Sequence, residues 1–98
     1  MTHALLSDAQ LVERMVAGDR QAHEQLGDRH RLSLYARLYA LLADPAATEE
    51  VLSATLERAW HVAGQFNPGA GTAAAWLSEI ARDLVLRRQG PAIPDPGL

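Results

Sequence analysis

The sequence contains no cysteine and no lysine, and each absence narrows the class of protein it can be. Without cysteine, neither disulfide bonds nor thiolate metal sites can hold the chain together, so apolar packing must do so. All nine basic residues are arginine, which suits bidentate phosphate contacts but also follows from a genome's coding bias. Twelve carboxylates leave a net charge of −3, so the chain lacks the overall basic field typical of nucleic-acid-binding proteins.

Long apolar runs are also missing. The N-terminus has no basic segment followed by an apolar one, and no apolar stretch approaches the roughly 20 residues needed to cross a bilayer. We therefore expect a soluble, cytoplasmic protein that does not bind membranes. With 98 residues, of which 48% are hydrophobic, the chain is long enough for one domain with a modest core.

The sequence offers little for catalysis. No pair among its four histidines has the four-residue spacing that places two imidazoles on one helical face for a metal ion. The glycines neither follow a predicted strand nor precede a Gly-Lys pair, as a phosphate-binding loop requires. We therefore predict no enzymatic activity, no metal, no cofactor and no small-molecule substrate.

Apolar residues at helical spacing predict four helical segments and no strand. In the first, Ser7 and Gln10 form a capping box, and Gly18 ends an apolar stripe made of Leu11, Val12, Met15 and Val16. Asp19 is the predicted cap of the second segment, residues 20–43, which forms either one kinked helix or two, with Gly27 as the weak point. The apolar stripe of this segment consists of Leu26, Leu34, Tyr35, Leu38, Tyr39 and Leu42.

Asp44 and Pro45 mark the start of the third helix, because aspartate accepts hydrogen bonds from the first amides and proline tolerates the first helical position. Its predicted buried face consists of Val51, Leu52, Thr55, Leu56, Ala59, Trp60 and Ala63. A loop with three glycines, residues 64–71, separates it from the fourth helix, which Thr72 caps and Gly90 ends. The buried face of that helix is predicted to consist of Trp76, Leu77, Ile80, Ala81, Leu84 and Val85.

These segments together predict an all-α fold, a small bundle of about four helices. The helical domain covers residues 1–90. Residues 91–98 contain three prolines and are predicted to be a linker stub or tail.

Three groups of side chains have both a functional and a structural interpretation. Glu49 and Glu50 lie in the first turn of the third helix, where they stabilise its dipole or bind a partner. The aromatic residues Trp60, Phe66 and Trp76 are suited to stacking on unpaired bases, but both tryptophans also lie on the apolar stripes. The fourth helix carries three arginines suited to binding phosphate, namely Arg82, Arg87 and Arg88. The alternative for Arg87 and Arg88 is that they complement the dipole at the helix C-terminus.

The order of several motifs resembles region 2 of bacterial sigma factors, specifically the small extracytoplasmic-function group of the sigma-70 family. The resemblance covers residues 11–89. Its most specific parts are Ala17-Gly18-Asp19, Asp44-Pro45, Arg58-Ala59-Trp60, Phe66-Asn67-Pro68, Ala75-Trp76-Leu77 and Ile80-Ala81-Arg82.

The resemblance implies an all-helical domain whose third helix docks on the clamp helices of core RNA polymerase. The polymerase-binding positions would be Glu49, Glu50, Ser53, Ala54, Glu57 and Arg58. The following loop and the fourth helix would capture the unwound minus-ten strand of promoter DNA. The DNA-binding positions would be Gln65, Phe66, Asn67, Thr72, Trp76, Arg82, Arg87 and Arg88.

The sequence departs from the family pattern mainly on the functional face. Ser53 and Ala54 replace a common Gln-Glu pair, Asp83 replaces a common asparagine, and Ala70 lies near the place of a loop cation. Positions that are often aromatic are His23, Gly27 and His30 in this chain. The family's second domain, which reads the minus-thirty-five element, is also absent, so the chain is either a region 2 fragment or a protein that never had the second half.

These departures leave three hypotheses. The first is a transcription-initiation module that binds core RNA polymerase and promoter DNA. The second is a degenerate sigma-like regulator that binds an anti-sigma factor or another partner without melting DNA. The third is an unrelated four-helix bundle.

Overall fold

The computed structural model describes residues 5–88, and these form four α-helices with no strand among them. The helices are α1 (Asp8–Val16), α2 (Arg20–Leu42), α3 (Pro45–His61) and α4 (Ala73–Arg88), with a 3₁₀ turn at Ala63–Gln65. The predicted all-α fold of about four helices is confirmed. The predicted stop at Gly90 and the tail of residues 91–98 lie outside the described residues.

Each helix begins at the predicted cap. Ser7 and Gln10 form the reciprocal capping box at α1, with bonds of 2.8 and 3.1 Å. The carboxylate of Asp19 accepts hydrogen bonds from the first amides of α2, and Asp44 does the same at α3. The hydroxyl oxygen of Thr72 accepts a 3.1 Å hydrogen bond from the amide of Ala75 at α4. These bonds satisfy amides that otherwise have no partner within the helix.

The second segment is one continuous helix of 23 residues. Gly27 does not interrupt it, because this residue is buried against α3 and a Cβ built there would lie 3.4 Å from Cδ1 of Leu56. A glycine costs a helix only about 1 kcal/mol relative to alanine, which the packing of this helix offsets. The choice between one helix and two is therefore decided by tertiary contact.

The core is built from the predicted apolar stripes of all four helices, with two exceptions. Leu11, Leu26, Leu38 and Leu77 are each at most 1% exposed and form its centre. Val16 and Tyr39 were predicted on these stripes, but they are 60% and 44% exposed. Val16 is the last residue of α1, so no further turn of that helix follows it. Tyr39 instead stacks on Tyr35 along the outside of α2, with ring centroids 6.2 Å apart.

Two histidines on α2 take over the inter-helix contacts expected from aromatic residues. The Nε2 of His23 lies 2.7 Å from the carbonyl oxygen of Leu56, so Nε2–H donates to α3. The Nε2 of His30 lies 2.8 Å from a carboxylate oxygen of Asp8, and Arg29 binds the other oxygen. These bonds connect α2 to α3 and to α1.

The helices α3 and α4 form an antiparallel pair, since Arg88 at the end of α4 reaches Glu50 near the start of α3. Two buried threonines on α3, Thr48 and Thr55, donate their hydroxyls to the carbonyl four residues earlier, at 2.8 Å each. The buried face of α3 therefore contains polar atoms that are satisfied within the helix. Among residues 5–88, no helix is both long and apolar enough to span a membrane.

Candidate nucleic-acid and partner-binding surfaces

The loop between α3 and α4 forms an open pocket of about 220 Å³ against the start of α4. Thr72, Ala75, Trp76 and Glu79 occupy positions i, i+3, i+4 and i+7 and so share one face of the helix. Loop residues 65–67 and 70–71 close the other side of the pocket. The chain thus brings together five of the predicted DNA-binding residues, which are Gln65, Phe66, Asn67, Thr72 and Trp76.

Two aromatic rings form the apolar wall of this pocket. Phe66 and Trp76 are both half-buried, and their ring centroids lie 5.0 Å apart at an interplanar angle of 47°. They pack against the core and also line the pocket, so a structural role does not remove them from the surface, and their base-stacking role stays a prediction. The third predicted aromatic, Trp60, lies elsewhere, covered by Arg20 at 4.1 Å and in edge contact with His23.

The polar atoms of the pocket are mostly neutral. The Oδ1 of Asn67 accepts a 2.9 Å bond from the amide of Gly69, which leaves the Asn67 amide nitrogen as a donor. Thr72 uses its oxygen to cap α4 and keeps its hydroxyl proton available. Glu79 contributes an exposed carboxylate that forms no ion pair within residues 5–88. None of the nine arginines, all of which lie in this described part of the chain, lines the pocket.

The three predicted phosphate-binding arginines do not form one patch. Successive residues are about 100° apart around a helix, so Arg88 lies about 120° from Arg82. Arg87 is paired with Asp83 at 2.9 Å, and Arg88 is paired with Glu50 at the same distance. Arg82 is exposed and forms no ion pair among the described residues. Two of the three cations are therefore partly neutralised by carboxylates of the same chain.

The predicted polymerase-binding residues form one continuous exposed face of α3. Since α3 begins at Pro45, Glu49 and Glu50 lie in its second turn, and the prediction that they lie in the first turn is wrong. All six are exposed, and they repeat in adjacent pairs every four residues: Glu49, Glu50, Ser53, Ala54, Glu57 and Arg58. Glu57 lies 4.0 Å from Arg20 and 3.3 Å from His61. Arg58 lines a cleft of about 330 Å³ between α3 and α4, whose opposite wall contains Trp76 and Asp83. The exposed face of α3 thus borders the surface that leads to the loop pocket.

A second groove, which the sequence did not indicate, lies between this face and α2. It measures about 610 Å³, and Glu49, Leu52 and Ser53 form its α3 side. The α2 side consists of Asp28, Arg31, Leu32 and Tyr35. Leu32 is 82% exposed, so a large apolar side chain is presented at the groove. The available signal was the spacing of Leu32 and Tyr35, which places two large apolar side chains one turn apart on α2.

The described residues contain no group of three histidine, aspartate or glutamate side chains placed to hold a metal ion. The pocket, cleft and groove described above present aromatic, amide and charged groups, and such groups suit recognition of bases, phosphates or protein side chains.

Comparison with known proteins identifies relatives over most of the chain. The Sigma-70 region 2 family model matches residues 26–89. The ECF RNA polymerase sigma factor SigK of Mycobacterium sp. (strain KMS) is 34% identical over 78 residues, which are 80% of this chain and 40% of the relative. The ECF RNA polymerase sigma factor BldN of Streptomyces coelicolor is 36% identical over 76 residues, 78% of this chain and 29% of the relative. The chain thus spans less than half the length of these relatives.

Proposed function

Because the chain belongs to the Sigma-70 region 2 family, we propose that it is a sigma-like transcription-initiation module that binds core RNA polymerase and promoter DNA. The exposed face of α3 would bind the clamp helices of the polymerase. The loop pocket would hold an unpaired base of the minus-ten strand. The role is one of recognition rather than catalysis.

The observation that supports this proposal most directly is the aromatic wall of the loop pocket. Phe66 and Trp76 are fixed against the core, yet they line an open pocket on the surface. Aromatic faces hold unpaired bases by stacking, and each stacked base contributes about 1–3 kcal/mol. Arg82 is exposed on the same helix and is available for a neighbouring phosphate.

The polymerase surface is supported by the shape and exposure of α3. Its six exposed residues border the α2–α3 groove on one side and the α3–α4 cleft on the other. Leu32 and Tyr35 add apolar area next to Ser53, which with Ala54 replaces the Gln-Glu pair common in the family. Burial of apolar area at this groove would offset the missing hydrogen bonds. We therefore extend the proposed polymerase-binding surface to Leu32 and Tyr35.

A second candidate function is supported by the charge arrangement. Arg87 and Arg88 are paired with carboxylates, and Glu79 places another carboxylate in the pocket. These features favour a basic protein side chain over a phosphate backbone, as expected for a sigma-like regulator that binds an anti-sigma factor or another protein. The apolar part of such a protein interface would persist at salt concentrations that screen phosphate contacts.

The proposal that the loop pocket holds an unpaired base is tested with the substitution Phe66→Ala. Binding of this variant to single-stranded promoter DNA is measured by fluorescence anisotropy. Loss of one stacked base predicts a decrease in affinity of about 5- to 150-fold. The matched control is Tyr39→Ala, which removes an exposed aromatic ring on α2, away from the pocket. Equal affinities for Phe66→Ala and the unmodified chain, with unchanged helix content, would contradict the assignment.

A further inference from the structure

The loop pocket contains one charged group that the proposed function does not use. Glu79 lies on the pocket-facing side of α4, one turn after Trp76, and is one of the residues that line the pocket. It is exposed and forms no ion pair within residues 5–88. An exposed carboxylate near a DNA strand repels phosphate, so the position is unfavourable for binding the backbone. If the pocket holds DNA as proposed, a favourable role for Glu79 therefore has to come from contact with the base itself.

We propose that Glu79 is a specificity residue that selects an unpaired base carrying an exocyclic amino group. This inference rests on the proposed function, because it assigns the base that the pocket holds. An ionised carboxylate only accepts hydrogen bonds. The amino groups of adenine, cytosine and guanine are donors, whereas the corresponding group of thymine is a carbonyl oxygen. The single ring N–H of thymine lies between two carbonyl oxygens, both of which repel a carboxylate.

The other lining groups do not supply this selection. Gln65 carries an amide that both donates and accepts, so it adapts to either edge chemistry. Asn67 and Thr72 each use one oxygen lone pair, on the amides of Gly69 and Ala75, and each also keeps a donor, so neither is restricted to accepting. Phe66 and Trp76 stack on every base alike. Glu79 is thus the one lining residue of the described pocket whose side chain is restricted to accepting.

The size of the effect follows from the exposure of the carboxylate. A good bidentate contact to a base edge discriminates against the wrong base by about 1–3 kcal/mol. Because Glu79 is solvent-exposed and its charge is screened, we expect the lower end of this range, about a five- to tenfold preference.

The test uses two isosteric pyrimidines, deoxycytidine and deoxyuridine, which differ in whether C4 carries an amino group or an oxygen. Each is placed once at the centre of an otherwise identical oligothymidine. Affinity for the full chain is measured by fluorescence anisotropy, both alone and with core RNA polymerase. We expect the deoxycytidine strand to bind about five- to tenfold more tightly than the deoxyuridine strand.

Two variants separate the role of Glu79 from a general change of charge. Glu79→Gln introduces an amide that donates as well as accepts, so the preference should fall to about twofold or less. Glu24→Gln removes the same charge at an exposed position of α2, outside the pocket, and should keep the preference of the unmodified chain. Circular dichroism of both variants checks that the helices remain intact.

Each remaining outcome is decisive. Equal binding of the two strands by the unmodified chain would overturn the specificity role while leaving the proposed function in place. A uniform gain in affinity for Glu79→Gln, with no change in preference, would show that Glu79 only repels phosphate, and the pocket would then suit a basic protein side chain. Failure of every oligonucleotide to bind, alone or with polymerase, would overturn both the specificity role and the DNA-binding function.

Discussion

At the scale of single residues, the contact that most affects the proposed DNA path is the ion pair between Asp83 and Arg87. The two charged groups lie 2.9 Å apart on successive turns of α4, and both side chains are more than half exposed. An exposed pair of this kind contributes about 0.2–1 kcal/mol, so it is stable enough to hold Arg87 but weak enough to be broken. Asp83 would therefore limit the proposed DNA binding by its own charge and by engaging a cation.

Replacement of Asp83→Asn should raise the affinity for single-stranded DNA about two- to fivefold, because it removes a repulsive charge and releases Arg87. The logarithmic salt dependence should also become steeper by about 0.7, the value for one added phosphate contact on a single strand. Both quantities are measured by anisotropy titrations at several salt concentrations. Asp28→Asn, which breaks the pair with Arg31 on α2, is the matched control. An unchanged salt slope for Asp83→Asn would rule out a role for Arg87.

Sequence reasoning identified the residue types of the pocket but not their partners. Phe66 and Trp76 were predicted from their apolar and aromatic character, and the structure brings them together. The pairing of Arg88 with Glu50 joins residues 38 positions apart, and no local pattern predicts such a contact. The contact of Arg20 with Trp60 was missed for the same reason. Periodicity assigns a face to each residue, whereas partners across helices depend on how the helices pack.

At the scale of helices and their connections, the junction between α2 and α3 carries local strain. Ala43 adopts the left-handed conformation, with φ of 53° and ψ of 29°. This conformation costs an L-residue about 1–2 kcal/mol, because its Cβ approaches the following carbonyl oxygen. This conformation ends α2 immediately before Asp44, which is the cap of α3.

Replacement of Ala43→Gly should raise the free energy of unfolding by about 0.5–1 kcal/mol. Relief of the strain stabilises the folded state by about 1–2 kcal/mol. This exceeds the stability of about 0.4–1 kcal/mol that is lost because glycine raises the conformational entropy of the unfolded chain. Urea denaturation measures the change. The same substitution within α2, Ala36→Gly, should instead lower the free energy of unfolding by about 1 kcal/mol, since Ala36 has no strain to relieve. A comparable loss of stability in both variants would contradict the account of Ala43.

Most helix boundaries were predictable because the caps use local chemistry. Ser7, Asp19, Asp44 and Thr72 each bond to amides two or three residues later, so the signal lies within a few residues of sequence. The continuity of α2 through Gly27 was not predictable, since it depends on contact with Leu56 on another helix. Local propensity decides where a helix starts, and tertiary packing decides whether a weak position interrupts it.

At the scale of the whole molecule, the two proposed binding surfaces are connected through the antiparallel pair of α3 and α4. Two residues of the exposed face of α3 make this connection. Glu50 pairs with Arg88 of α4, and Arg58 lines the cleft that also contains Trp76. The fold class follows from the apolar periodicity of four segments, and the structure agrees. The α2 side of the α2–α3 groove was not apparent from the sequence, because a single exposed leucine such as Leu32 is common on protein surfaces.

The central claim is that this helical pair serves polymerase and promoter binding, and its most direct test is binding of the chain to core RNA polymerase by interferometry. Region 2 of an ordinary extracytoplasmic-function sigma factor is the positive control and the competitor. We predict binding that this competitor displaces and that Leu32→Ser weakens, because the exposed leucine borders the proposed docking face. Absence of binding, with a control that does bind, would contradict the claim. It would indicate that this fold binds a partner other than the polymerase.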